Sequence, residues 1–70
     1  MISTDELVQI ATAGGGLDLR NVVISTDDLT RIAAAAAKTR ASIKIKATRP
    51  LQAMIDIAAA GQGCVVIYFD

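Results

Sequence analysis

The side chains best equipped for chemistry fall into two groups. Ser25-Thr26 and Thr48-Arg49 each stand just ahead of an apolar pattern of helical spacing. Helix N–H groups point outward there, so a small anion or nucleotide phosphate is welcome. Lys38, Arg40, Lys44, Lys46 and Arg49 lie in one stretch with no acid among them. Such a basic patch suits phosphate or nucleic acid. Both groups also have a purely structural explanation. Ser25 and Thr48 read as N-caps, each worth about 1 kcal/mol, and Asp27 and Asp28 already bring negative charge to the first turn of the helix after Ser25. Lysines spaced along a strand keep an open sheet from aggregating. Binding of single strands calls for stacking aromatics beside the cations. Only Tyr68 and Phe69 are on offer, both in the most apolar segment of the chain, so nucleic acid through Lys44 and Lys46 is the least favoured partner.

Catalysis finds little support. The chain has no histidine and a single cysteine, which leaves no Ser-His-Asp set, no Cys-His pair and no cluster of zinc ligands. Asp27 and Asp28 are neighbours in one helical turn, so their carboxylates diverge and cannot flank a substrate. Cys64 opens an apolar strand, where burial raises a thiol pKa and leaves it inert. Gly14-Gly15-Gly16 and Gly61-Gln62-Gly63 have the wrong polarity for a phosphate loop. Phosphate loops follow a strand and open a helix, whereas these glycines close a helix and open a strand. The expectation is a protein that is not an enzyme and carries no metal or cofactor.

The elements that position these residues repeat. Ser3-Thr4-Asp5-Glu6 is a capping box, in which Ser3 accepts from the third helical N–H and Glu6 reaches back to the Ser3 amide. Ser25-Thr26-Asp27-Asp28 repeats it about 22 residues later, and Leu29, Ile32 and Ala33 match Leu7, Ile10 and Ala11. A looser third unit starts near Thr48-Arg49-Pro50, with Pro50 in the first turn, and carries Leu51, Met54, Ile55 and Ala58 on its apolar side. Each helix leads into a strand. The segments are Leu17–Ile24 with a bend near Asn21, Ala41–Ala47, and Cys64–Phe69. The middle one alternates, with Ile43 and Ile45 on one face and Ser42, Lys44 and Lys46 on the other, as a half-exposed strand should. The last is apolar on both faces, which suits a strand buried on both sides or lying at an interface.

This is an α/β chain of three helix–strand repeats, and it resembles α/β solenoid units in general. Helical connections make the strands parallel, with right-handed crossovers. The strands then either run in chain order with helices on one face, or the third strand lies between the others with helices on both faces. The lysine-bearing face of the second strand favours the one-sided arrangement, with the third strand at an interface. Any ligand site then falls beyond the carboxyl ends of the strands, at Ile24-Ser25-Thr26, Ala47-Thr48-Arg49 and Phe69-Asp70.

Composition completes the expectation. The 70 residues form a single domain, 1–70, with formal net charge zero and 53% hydrophobic residues, many of them alanine. A core this small is marginal, and association with a partner is one remedy. The Ala33–Ala37 run serves either a tight internal fit or a smooth docking face. No stretch approaches the roughly 18 apolar residues of a membrane span, and Asp5 and Glu6 interrupt any leader-like start. The expected location is the cytoplasm. The expected role is a non-enzymatic interaction module, self-associating or regulatory. The alternative is anion or nucleotide binding at the Ser25 and Thr48 helix starts.

Overall fold

The computed structural model describes residues 3–69. Helices and strands alternate as α1 (Thr4–Thr12), β1 (Leu17–Asp18), α2 (Thr26–Thr39), β2 (Ile43–Lys46), α3 (Leu51–Gly61) and β3 (Val65–Tyr68). The strands form one parallel sheet in the order β1-β2-β3. Chain order is thus spatial order, and β3 is an outer strand rather than a central one.

Local signals act as their chemistry dictates. Ser3 closes a capping box: its Oγ accepts from the Glu6 N–H at 3.2 Å, and its own N–H donates to Glu6 Oε1 at 2.9 Å. The same bonds hold the Glu6 carboxyl below its ordinary pKa, backbone donation from Ser3 being the larger cause. Ser25 caps α2 through the Asp28 N–H at 3.2 Å. Gly14 ends α1 with φ 96°, and the Gly15 and Gly14 amides donate to the Ile10 and Ala11 carbonyls at 2.9 and 3.0 Å. Those paired bonds form a Schellman motif, which needs a left-handed residue that glycine supplies without strain.

The third start differs from expectation. Pro50 is the N-cap of α3 and no side chain caps the helix, so neither Thr48 nor Arg49 does that work. Proline drives the residue before it toward extended backbone. Arg49 therefore stays in the connection, and the helix begins only at Leu51.

The first strand is also shorter than Leu17–Ile24. Leu17 pairs with Ile43, and the Leu19 N–H still donates to the Lys44 carbonyl at 2.9 Å. The Arg20 N–H then turns to Asp18 Oδ1 at 3.2 Å, and the Val22 N–H closes back on the Leu19 carbonyl at 3.3 Å. An aspartate that accepts from an amide two residues on folds the chain into a local turn. Beyond Lys46, moreover, β2 offers no partner. The chain bends around Asn21 as anticipated, and residues 20–25 run as an irregular connection.

The core lies between the sheet and the helix layer. Ile43 and Ile45 point into it, together with Leu7, Leu29, Ile32 and Ile57. Ala11, Ala33 and Ala36 are fully buried with them. α2 packs on both α1 and α3 and rests on the sheet, so three of its sides are covered. This resolves the alanine run in favour of internal fit: Ala33, Ala35 and Ala36 are buried, while Ala34 is exposed. Gly61 makes the same demand from α3, since a Cβ there would stand 2.4 Å from Val65 Cγ2 and 3.5 Å from Ala33 Cβ.

Polar contacts fasten α1 to α2 at both ends. Thr4 Oγ1 donates to Asp28 Oδ2 at 3.1 Å and Arg31 pairs with Asp5 at 2.8 Å. At the far end, Thr39 Oγ1 donates to the Ala11 carbonyl at 2.6 Å. No helix of the described residues is long and apolar enough to cross a membrane.

Candidate functional site

The sheet has one covered and one uncovered face, and alternation decides which side chains occupy each. Asp18, Lys44 and Val66 align in register across the uncovered face. Lys46 and Tyr68 form the next row, with Arg20 reaching over Tyr68. Arg20 is held firmly. Its Nε donates to Asp18 Oδ1 at 2.9 Å and its Nη2 to Asp18 Oδ2 at 2.7 Å, while its guanidinium lies 4.4 Å from the Tyr68 ring centroid. Bidentate pairing of this kind is the strong form of a charged hydrogen bond, and the stacking adds a cation–π contact. The Asp18 carboxyl is held down to about 2, chiefly by the Arg20 side chain, then by the Arg20 amide.

A cleft of about 370 Å³ opens beyond the carboxyl ends of β1 and β2. One wall is the bend through residues 19–24. The other is Lys46, Thr48 and Arg49, from the end of β2 and its connection to α3. Arg49 Nη2 donates to the Ile24 carbonyl and ties the two walls together. A smaller depression of about 240 Å³ lies toward the amino ends of the strands, between Gly16, Asp18, Ser42 and Lys44.

The residues singled out from the sequence therefore scatter. Thr48 and Arg49 line the cleft beyond the carboxyl ends of β1 and β2 together with Lys46. Ser25 and Thr26 do not line it: Ser25 caps α2, and the Thr26 carbonyl accepts from Thr30 Oγ1 at 2.9 Å. Lys38 sits in the last turn of α2 and Arg40 just past it, both exposed, whereas Lys44 and Lys46 stand half-buried on the uncovered face. Asp70 lies outside the described residues. Cys64 is half-buried, and its carbonyl accepts from the Ile43 N–H at 2.8 Å. Among the described residues no three metal-ligating side chains come together.

Arg20 is the residue that sequence reasoning missed. Its signal was present in Leu17-Asp18-Leu19-Arg20, where alternation puts an acid and a base on one face two positions apart.

The second surface feature is the α3–β3 end. Leu51 is 70% exposed, Ile55 49%, Val66 43% and Phe69 76%. In the parallel ladder the Cys64 and Tyr68 carbonyls accept from the Ile43 and Ala47 amides. The intervening residues Val65 and Ile67 consequently turn their backbone groups outward. No described strand pairs with them there.

Comparison with known proteins gives no relative: no family model, no curated protein and no solved structure matches the chain.

Proposed function

We propose that this chain is a non-catalytic interaction module that associates with a second copy of itself through its α3–β3 end. The observation that carries this reading is the contrast between the two edges of the sheet. β1 is two residues long, bears the Asp18–Arg20 ion pair beside it, and ends in a turn. Short, charged and bent edges resist strand pairing. β3 has four residues, Val-Val-Ile-Tyr, with no charge, no proline and no bulge. Exposed Leu51 and Ile55 lie on the helix that leads into it, and exposed Phe69 follows it.

A second copy suits this surface because a two-fold interface sets the same patch against itself. Self-pairing of a charged strand would oppose like charges, and β3 carries none. Antiparallel β3–β3 pairing would satisfy the outward backbone groups of Val65 and Ile67 in both copies and cover Val66. It would also enlarge a core that is marginal for a chain of this length.

Sedimentation over a wide concentration range tests the reading. The expected result is reversible association in the micromolar range, weakened at least tenfold by Val66→Lys with the far-ultraviolet circular dichroism unchanged. A folded monomer at millimolar concentration would remove the proposal. The nucleic-acid reading has less support: Lys38 and Arg40 stand apart from the uncovered sheet face, and Arg20 already occupies the Tyr68 ring.

A further inference from the structure

We infer that, resting on self-association through the α3–β3 end, the two-fold axis of the pair passes beside Ile67 and each copy lays its Phe69 on the other. Edge pairing by itself admits more than one register, and the side chains around β3 choose between them.

The backbone narrows the choice first. Val65 and Ile67 turn their N–H and C=O groups outward. Phe69 follows the same alternation, because the Tyr68 carbonyl is taken by the Ala47 N–H at 2.9 Å. Only these positions can bond across the axis. Two antiparallel registers keep most of the strand paired. An axis at Val66 joins Val65 to the partner's Ile67. An axis at Ile67 joins Val65 to the partner's Phe69 and bonds Ile67 to its own copy.

The apolar side chains then favour Ile67. Val65 and Ile67 pack on the core, while Tyr68 lies on the uncovered face under Arg20. Alternation carries Phe69 to the helix side. There α3 runs back along the strand, with Gly61 level with Val65, whose Cγ2 a Cβ at Gly61 would meet. At about 1.5 Å per helical residue, Ile55 stands about 9 Å and Leu51 about 15 Å back along α3. At about 3.3 Å per strand residue, Ile55 is level with Ile67 and Tyr68, and Leu51 with Phe69. An axis at Ile67 sets Phe69 over the partner's Val65. It also sets Ile55 against Ala58 and Ala59 of the partner's α3, whose small side chains permit close approach. On the uncovered face it pairs Val66 with the partner's Tyr68, a β-branched side chain beside an aromatic one. An axis at Val66 instead leaves Phe69 opposite the partner's Gly63, and Ile55 opposite Gln62 past the end of the partner's α3. Both exposed apolar side chains would then stay in water.

Disulfide trapping in the full chain locates the axis. Val66→Cys and Tyr68→Cys are made separately, each with Cys64→Ser, and oxidised alone and mixed. Directly opposed positions on that face lie about 4.5 Å apart, within disulfide reach, whereas the diagonal exceeds the ~7 Å limit. The mixture should therefore crosslink at least tenfold faster than either variant alone. Because Tyr68→Cys removes the ring under Arg20, isotope-filtered NMR of the unaltered chain gives a second reading. Contacts between copies should join Val66 to Tyr68 and Phe69 to Val65. Phe69→Ala should weaken association at least tenfold. Rapid crosslinking of Val66→Cys with itself, or association indifferent to Phe69→Ala, would overturn the Ile67 axis and leave self-association standing. A folded monomer at millimolar concentration, or a dimer without β3 contacts, would overturn both.

Discussion

Arg40 holds φ 61° just past the end of α2, and the Ala41 N–H that follows donates to the Ala36 carbonyl at 3.0 Å. The helix stop requires that left-handed turn, and a residue with a Cβ is strained in it by about 1–2 kcal/mol. Glycine removes the strain but is freer when unfolded, so Arg40→Gly should stabilise by about 0.5–1 kcal/mol. A thermal melt should show a rise of a few degrees, about 4–8 °C per kcal/mol for a domain this size. An unchanged or lower midpoint would mean the Arg40 side chain makes a stabilising contact. Asp18 gives the second prediction at this scale. Its folded pKa is about 2 against an ordinary 3.8, with Arg20 the main cause. The sign follows from linkage: the contribution is complete above about 3.8 and disappears as pH falls toward 2. Carboxyl NMR should find the Asp18 midpoint near 2, and Arg20→Gln should move it back toward 3.8. A midpoint already near 3.8 in the unaltered chain would show that the pair does not persist in solution.

Helix α3 meets β3 and α2 through a missing side chain. A Cβ at Gly61 would sit 2.4 Å from Val65 Cγ2, far inside contact distance. Alanine at a helical glycine normally gains about 1 kcal/mol of propensity. Overpacking costs about 1–3 kcal/mol, so Gly61→Ala should destabilise by up to about 2 kcal/mol net. Removing the opposing methyls should restore room, and denaturant unfolding should show Gly61→Ala and Val65→Ala coupling favourably when combined. Additive effects would mean that Val65 simply changes rotamer. The elements differ in how they are joined. α1 is fastened to α2 by Thr4–Asp28, Arg31–Asp5 and Thr39–Ala11. The α2–α3 contact instead rests on close approach, with fully buried Ala33 beside Gly61. Helix starts and glycine stops were legible in the chain because each depends on residues three to five apart, whereas the α2 stop at left-handed Arg40 carries no such signal. The start of α3 was obscured because Thr48, Arg49 and Pro50 all resemble start signals, and proline's geometry decided among them.

At the scale of the whole molecule, the polarity of the two ends matters. The α1 side presents Asp5, Glu6 and Gln9 to solvent, and β1 presents Asp18. The α3–β3 side presents Leu51, Ile55, Val66 and Phe69. A stack of repeats usually finishes in a polar surface; the α3–β3 end exposes more large apolar side chains than the α1 side, where Ile10 is the exposed one. If the apolar end pairs two copies, association adds to apparent stability by mass action. The melting midpoint should then rise with protein concentration, and Val66→Lys should abolish that dependence. Concentration-independent melting over two decades would count against self-association. The cleft beyond the carboxyl ends of β1 and β2 also belongs to this scale, since its walls are about 25 residues apart in sequence and meet only because β1 and β2 are neighbours.

The sequence by itself determined the alternation of helix and strand, the parallel direction of the strands, and the amphipathic second strand that leaves Lys44 and Lys46 on an uncovered face. Those features follow from capping, glycine stops and two-residue alternation, all of them short-range. The sequence also favoured strands in chain order, which places β3 at the edge as observed. Tertiary structure alone decided that β1 stops after two residues and that Arg49 reaches Ile24 and not the start of α3. The reason is physical. Valines such as Val22 and Val23 favour a strand anywhere, but β2 ends at Lys46 and offers them no partner, and the Asp18–Arg20 turn bends the chain before that end is reached.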